Sequence, residues 1–329
     1  MNSRDNKPQA SSLATPDFEV FMKYSDLFIN AGQYSNNGPC QRLLENRLAK
    51  FHKSRYCVAF ANSYWALVLT IETIKLKGKT EILMPSFTCS RIISLASWSG
   101  LSPVYYNIDE LTLIPDLKSI ESKVNNDTSA ILCVNTIANC FPTEGVKAVC
   151  EKYNIPLVID NFESFYEVKT GLTDGSDAVA EVFSMQESKF INGCEYGYVT
   201  TSNADLYEKL ICIRGFGIKG AENVEYDNGI NAKLNEMHAA YALLNLDLLK
   251  ESIAHNKTIY MHYKKRLGRL RSLKLLEINE EEQTCYNNIV VKISEYFPIS
   301  TDRLVLILNS KSILAREYYH PAVHIKENN

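Results

Sequence analysis

No stretch of apolar residues in this 329-residue chain is long enough to cross a bilayer. Neither sign of charge dominates: 35 Lys and Arg against 38 Asp and Glu leave a formal net charge of -3, without the basic field that marks a nucleic-acid binder. Residues 1–16 lack the apolar core of a signal peptide and read as a loose polar leader. The nine cysteines form no C-x-x-C pair and are odd in number, which fits reduced thiols in the cytosol better than a secreted disulfide framework. Without secretion, the glycosylation patterns at Asn126 and Asn256 carry no meaning. Internal repeats, low-complexity tracts, a serine nucleophile elbow and a P-loop are missing too.

What is present is an ordinary globular composition, 46% hydrophobic and 22% charged, at a length suited to a large α/β domain with a smaller one appended. Seven short apolar runs read as strands: Tyr56–Ala61, Glu81–Met84, Pro103–Tyr106, Ser129–Val134, Pro156–Ile159, Ala180–Met185 and Tyr196–Thr201. Helical spacing over Cys40–Phe51, Trp65–Ile74, Glu144–Tyr153 and Leu206–Ile213 alternates with them. Near-continuous apolar strands between helices imply a mainly parallel sheet covered on both faces. Ligands of such sheets bind beyond the carboxyl ends of the strands. After Gly229 a long helix is expected from Asn235 to about Ile259, then a strand over Cys285–Ile293 and a helix over Ser300–Ser310. These form the smaller α+β domain, expected over residues 241–329, with the large domain over residues 1–240.

Several motifs carry no chemistry. Gly215-Phe216-Gly217-Ile218-Lys219-Gly220 spells G-x-G-x-x-G, but a helix precedes it and the polar loop Asn223–Gly229 follows, so the strand and helix of a dinucleotide site are missing. His320 and His324 have the spacing of a helical metal pair, yet Pro321 lies between them and no third ligand is evident; loop or substrate-contact roles fit better, and no metal site is expected. The basic cluster around Lys264–Arg266 reads as the solvated face of a helix.

Two residues stand out by placement. Asp160 closes the run Pro156–Ile159, and Lys189 follows the next strand. Spacing alone leaves a simple ion pair between them open. The pair also fits pyridoxal phosphate, which needs an amine for a Schiff base and a carboxylate to keep its pyridine nitrogen protonated. Hydroxyls and backbone N–H groups must hold its phosphate, and Ser63 and Ser184, both at strand ends, could provide them.

Phe183-Ser184-Met185-Gln186-Glu187-Ser188-Lys189 and Cys194-Glu195-Tyr196-Gly197 resemble the F-S-F-H-x-T-K and G-E-G-G segments of the DegT-like nucleotide-sugar aminotransferases. Further likenesses follow in order: Ser35–Pro39 to the entry loop, Asn62–Leu67 to N-G-T-x-A-L, Pro85–Thr88 to P-x-F-T, and Val158–Asp160 to V-I-x-D. Gly229–Ala240 resembles G-x-N-x-R/K-x-x-E-x-x-A-A, and Arg316–His324 resembles R-x-Y-Y-x-P-x-x-H. The likeness runs from about Asn30 almost to the last residue.

The resemblance implies an α/β protein of pyridoxal-phosphate-dependent transferase fold type I, with a seven-stranded sheet and a smaller C-terminal domain. It implies that Lys189 binds the cofactor covalently and shuttles a proton, that Asp160 faces the pyridine nitrogen, and that Ser184 with the Ser63–Tyr64 backbone holds the phosphate. Glu163 stands where the family usually has Gln or His near the phenolic oxygen, and Cys89 where it has an aromatic residue on the cofactor ring. Asn231 would reach the cofactor of a second subunit, making a homodimer with shared sites. Asn37, Arg316, Tyr318, His320 and His324 would contact substrate. Capping of the following helix is the plainer role for Asn231, and packing is the plainer role for Tyr318. The implied reaction moves an amino group from L-glutamate to a keto carbon, C3 or C4, of a nucleotide-linked deoxysugar, in the cytoplasm. Related carbanion chemistry and a non-catalytic binding role are the alternatives, although the sugar dehydratase branch replaces the lysine with His. The departures are Cys89, Ser63-Tyr64, Gln186, Tyr196, and a C-terminus that stops where relatives continue.

Overall fold

The computed structural model describes residues 18–110, 112–135, 141–165, 179–189, 191–220, 223–276 and 286–318. Helices α1 (Phe18–Ala31) and α2 (Pro39–Phe51) precede an alternating series: β1 (Tyr56–Phe60), α3 (Ser63–Ile74), β2 (Glu81–Pro85), α4 (Arg91–Trp98), β3 (Ser102–Tyr106), α5 (Leu117–Lys123), β4 (Thr128–Val134) and α6 (Glu144–Tyr153). Then come β5 (Leu157–Asn161), β6 (Val179–Ser184), β7 (Gly197–Thr201) and α7 (Ala204–Arg214). The strands form one sheet in the order β1-β7-β6-β5-β4-β2-β3. The β2–β3, β2–β4, β4–β5 and β5–β6 pairings are parallel, and β7 runs antiparallel to both β6 and β1. All seven expected runs are strands, with ends shifted by a residue or two.

The apolar continuity of these strands has a direct cause. Along β4, Ala130, Leu132 and Val134 join the core that also contains α3, α4 and α7, while Ile131 and Cys133 join the core beneath α5 and α6. Along β1, Val58 and Phe60 face the first of these cores, and Cys57 and Ala59 face α1, α2 and α8 (Glu236–Asp247). With both faces covered, neither parity of the strand can be polar.

Beyond α7, β8 (Ile218–Lys219) and β9 (Asn223–Val224) make a small hairpin, so the expected polar loop at Asn223 begins with a short strand. α8 is followed by α9 (Leu249–Leu267), β10 (Leu273–Leu275), β11 (Val291–Ile293) and α10 (Thr301–Ser310). The single helix expected from Asn235 breaks at Leu248, where the alanine- and leucine-rich face of α8 runs out and α9 buries only Leu249 and Tyr260. Leu243, Leu246 and Leu249, beyond residue 240, share one core with Tyr24 and Leu44. The expected strand over Cys285–Ile293 shrinks to Val291–Ile293. Cys285 lies outside the described residues, and Tyr286 has φ +51°, a left-handed value incompatible with an extended strand. Tyr260, Leu275 and Tyr286 form a separate small core there. Among the described residues no helix is long and apolar enough to cross a membrane.

β1 lies at the sheet's edge, where unpaired backbone groups are a liability. Side chains close it. The Ala59 N–H donates to Glu45 Oε1 at 2.8 Å, and Arg214 Nη1 donates to the Ala59 carbonyl. The same Glu45 oxygen accepts from Arg214 at 2.8 Å, with both side chains almost fully buried. Removing one member leaves the other charge stranded in the core. Glu45→Ala is therefore expected to destabilise the chain by about 3–5 kcal/mol in urea denaturation. A loss below 1 kcal/mol, the range of exposed pairs, would show that the edge is not held this way.

Candidate active site

The pairing register gathers the expected site residues along one rim of the sheet. Phe60 at the end of β1 pairs with Gly197, Gly197 pairs with Ser184 at the end of β6, and Asn161 at the end of β5 pairs with Phe183. Ser63 opens α3 just beyond β1. A Cβ on Gly197 would lie 2.3 Å from Ser63 Cα and 2.5 Å from Ser63 Cβ, so only glycine lets β7 pass against the start of α3. The N-terminus of a twelve-residue helix is thereby brought beside the end of β6. Ser184 Oγ is buried there with no hydrogen-bond partner among the described residues. An orphaned hydroxyl beside a helix N-terminus suits a phosphate group, which accepts from both. Asn62 caps α3, its Oδ1 accepting from Tyr64 N at 2.7 Å and Trp65 N at 3.3 Å, so the Tyr64 amide expected at the phosphate is engaged by Asn62.

Asp160 is buried at the end of β5, and its Oδ1 accepts from the Phe162 N–H at 2.7 Å. Burial pushes its carboxyl up to about 6. The Arg91 guanidinium, the Phe162 amide and Lys189 pull it down, and Glu163 pushes it further up. Lys189 Nζ lies 2.7 Å from Glu163 Oε1, the two side chains only 9% and 12% exposed. The lysine's ion pair is thus with Glu163, three residues beyond the acid that spacing had suggested. A Ser164 N–H to Asn161 carbonyl bond of 3.0 Å closes the turn that brings Glu163 round.

Arg91 has no place in the motif reading. It opens α4 directly after the Pro85–Thr88 segment, and its guanidinium sits 4.3 Å from the centre of the Phe162 ring. A cation beside that segment was the available signal. Behind Asp160 a second missed feature anchors the strand ends: Asn135 Nδ2 donates to Asn161 Oδ1 at 2.6 Å, and Asn161 Nδ2 donates to Glu181 Oε2 at 3.0 Å. Glu195 accepts from Asn62 Nδ2 at 2.6 Å and so ties the Cys194–Gly197 segment to the α3 cap.

The remaining residues are more scattered. Cys89 is half-buried, and burial pushes its thiol up, so it is not a reactive thiolate. Asn37 has φ +64° in an exposed loop; α2 behind it is capped by the buried Glu236, which accepts from Cys40 N at 2.6 Å and Gln41 N at 3.1 Å. Asn231 is exposed and pairs with Gly215 in an isolated bridge. It does not cap the helix after it, because Asn235 does, accepting from His238 N at 3.0 Å. Tyr318 packs edge-on against Phe87 at 5.8 Å, which brings the C-terminal segment to the Pro85–Thr88 loop. Arg316 is exposed, and His320 and His324 lie outside the described residues.

A model of the DegT/DnrJ/EryC1/StrS aminotransferase family matches residues 19–328. The chain belongs to that family. It is a pyridoxal-phosphate-dependent aminotransferase, a transferase of nitrogenous groups, with the corresponding fold. It is 25% identical over 313 residues to the dTDP-4-amino-4,6-dideoxy-D-glucose transaminase of Shigella dysenteriae, covering 94% of this chain and 83% of the relative. To the dTDP-3-amino-3,6-dideoxy-alpha-D-galactopyranose transaminase of Aneurinibacillus thermoaerophilus it is 26% identical, over 76% of this chain and 69% of the relative. The solved structure of DesI with its TDP-sugar product superposes with a TM-score of 0.87 at 26% identity, covering 97% of this chain and 81% of that one.

The Asp160 carboxyl gives a pH signature. Its proton is held more tightly in the folded chain, near 6, than in the unfolded chain, near 3.8, so the folded chain binds more protons between those values. Stability from this group therefore falls as pH rises through that window, by about 3 kcal/mol in all. In cofactor-free protein, Asp160→Asn should flatten this dependence and raise stability at pH 8 by up to about 3 kcal/mol in urea denaturation. Unchanged pH dependence in the variant would contradict the assignment.

Proposed function

We propose that this aminotransferase takes the amino group of L-glutamate and delivers it to the C3 or C4 keto carbon of a nucleotide-linked deoxysugar. The observation that carries the reading is the convergence of Lys189, Asp160 and the orphaned Ser184 hydroxyl on one rim of the sheet, in a chain whose relatives are named for such sugars. Bound pyridoxal phosphate supplies an electron sink for the carbanion formed at the substrate Cα. Lys189 Nζ holds the cofactor and carries a proton to and from that carbon. Asp160, as a carboxylate, opposes the pyridine nitrogen and keeps it protonated; the cation so provided offsets the burial that otherwise disfavours its charge. Ser184 and the start of α3 at Ser63 bind the phosphate.

Asn231 is exposed on a single chain, which fits a residue that completes the site of a second subunit in a homodimer. Asn37 and the segment of Arg316 and Tyr318 are assigned to substrate contacts near the Phe87 loop. The setting we assign is the cytoplasm, in the synthesis of a surface polysaccharide such as O-antigen, or of a glycosylated natural product.

The test is the visible spectrum of purified protein beside Lys189→Ala, before and after L-glutamate. Cofactor absorbance should be present in the wild type and altered in the variant. Glutamate should bleach the wild-type band and release one equivalent of 2-oxoglutarate, after which a dTDP-linked 4-keto sugar should restore the band as the amino sugar forms. A band indifferent to glutamate would replace the donor, and a protein that takes up no pyridoxal phosphate would end the reading.

A further inference from the structure

Lys189 cannot capture an aldehyde as an ammonium ion, because its nitrogen then has no electron pair to give. Some group must take a proton from Nζ first, and the site holds two acids near it. Asp160 is engaged with the Phe162 N–H and, in the reading above, with the pyridine nitrogen. Glu163 is the acid in contact with the lysine, at 2.7 Å and largely out of water. At that distance a proton can pass from Nζ to the carboxylate without an intervening water. Of the Gln or His that the family resemblance suggests at this position, His shares this capacity and Gln differs in kind. A glutamine cannot carry a proton, and a carboxylate can.

We propose that Glu163 is a catalytic proton relay for Lys189 during covalent capture of the cofactor, an inference that rests on the role assigned to Lys189 above. One ammonium proton passes from Nζ to the Glu163 carboxylate. The freed electron pair forms the carbon–nitrogen bond as the carbonyl π electrons move to oxygen, which takes that proton back from Glu163. A second nitrogen proton then passes through Glu163 to the same oxygen, which departs as water while the carbon–nitrogen bond becomes double. Of the three ammonium hydrogens, two leave in the water and one stays on nitrogen, facing the regenerated carboxylate. No oxidant or further reactant is needed.

The test mixes the cofactor-free full-length chain rapidly with saturating pyridoxal phosphate. Bond formation is followed by absorbance, and the product is fixed with borohydride and counted by mass. Glu163→Gln should form the bond about 100-fold more slowly while reaching the same final attachment of one group per chain. Glu163→Ala should be equally slow and should recover part of its rate in added formate, a small diffusible proton carrier. Capture by Glu163→Gln at the wild-type rate, or a Glu163→Ala variant unmoved by formate, would overturn the relay while leaving Lys189 in its role. Undiminished attachment in Lys189→Ala, or none in the wild type, would instead overturn the role of the lysine and the relay with it.

Discussion

Where β7 passes the start of α3, the backbone of Gly197 lies so close to Ser63 that a methyl group could not fit between them. That approach fixes much else. β7 pairs with β1 on one side and β6 on the other, so its first residue sets the level of both neighbouring strand ends. The parallel β5 then follows β6 in register and brings Asp160 to the same rim. The start of α3 at Ser63 and the buried Asp160 carboxylate, contributed by segments about a hundred residues apart, are held in relation by ladder geometry rather than by direct contact. Rigid elements of this kind position a site more finely than loops can.

The charges gathered there are unfavourable for folding taken alone. Asp160 is buried among groups that only partly offset its desolvation, and Glu163 adds a second negative charge nearby. Lys189 answers Glu163 directly, and Arg91 over Phe162 answers Asp160 from the helix side. The result is an alternation of two acids and two cations whose formal charges cancel while the burial of Asp160 stays only partly offset. A binding site commonly keeps such locally unstable groups because the ligand completes them. In the role proposed for Asp160, the completing charge is a protonated ring nitrogen. Behind this face, the Asn135–Asn161–Glu181 chain satisfies the buried amides that would otherwise loosen the strand ends.

How much of this could be read from residues alone follows from range. The seven strands were legible because burial on both faces removes polar residues from either parity, leaving short unbroken apolar runs. The placement of Lys189 and Asp160 past strand ends was legible because each closes or follows an apolar run. The partner of Lys189 was not. Spacing pointed to Asp160, and only the turn after β5 decides that Glu163 makes the contact. Arg91 escaped notice because its meaning depends on Phe162, distant in sequence. The break at Leu248 was hidden as well: the helical spacing continues across it, and what changes is the surface it packs against.

The buried ion pair at the sheet's edge belongs with these long-range features, and it bears on the site as well. Glu45 and Arg214 close the outer side of β1, whose last residue pairs with Gly197. Arg214 is the last residue of α7, and the next turn begins the segment that carries Asn231. Arg214 also receives the Ala232 N–H at its own carbonyl, at 2.9 Å. One residue therefore ties the edge strand to the loop proposed to reach a second subunit. Loosening it would disturb the start of α3 at Ser63 and the placement of Asn231 together. Edge closure and the placement of the α3 start are in this chain the same piece of structure, which gives a nearly buried charge pair a role where an apolar contact could have sealed the sheet.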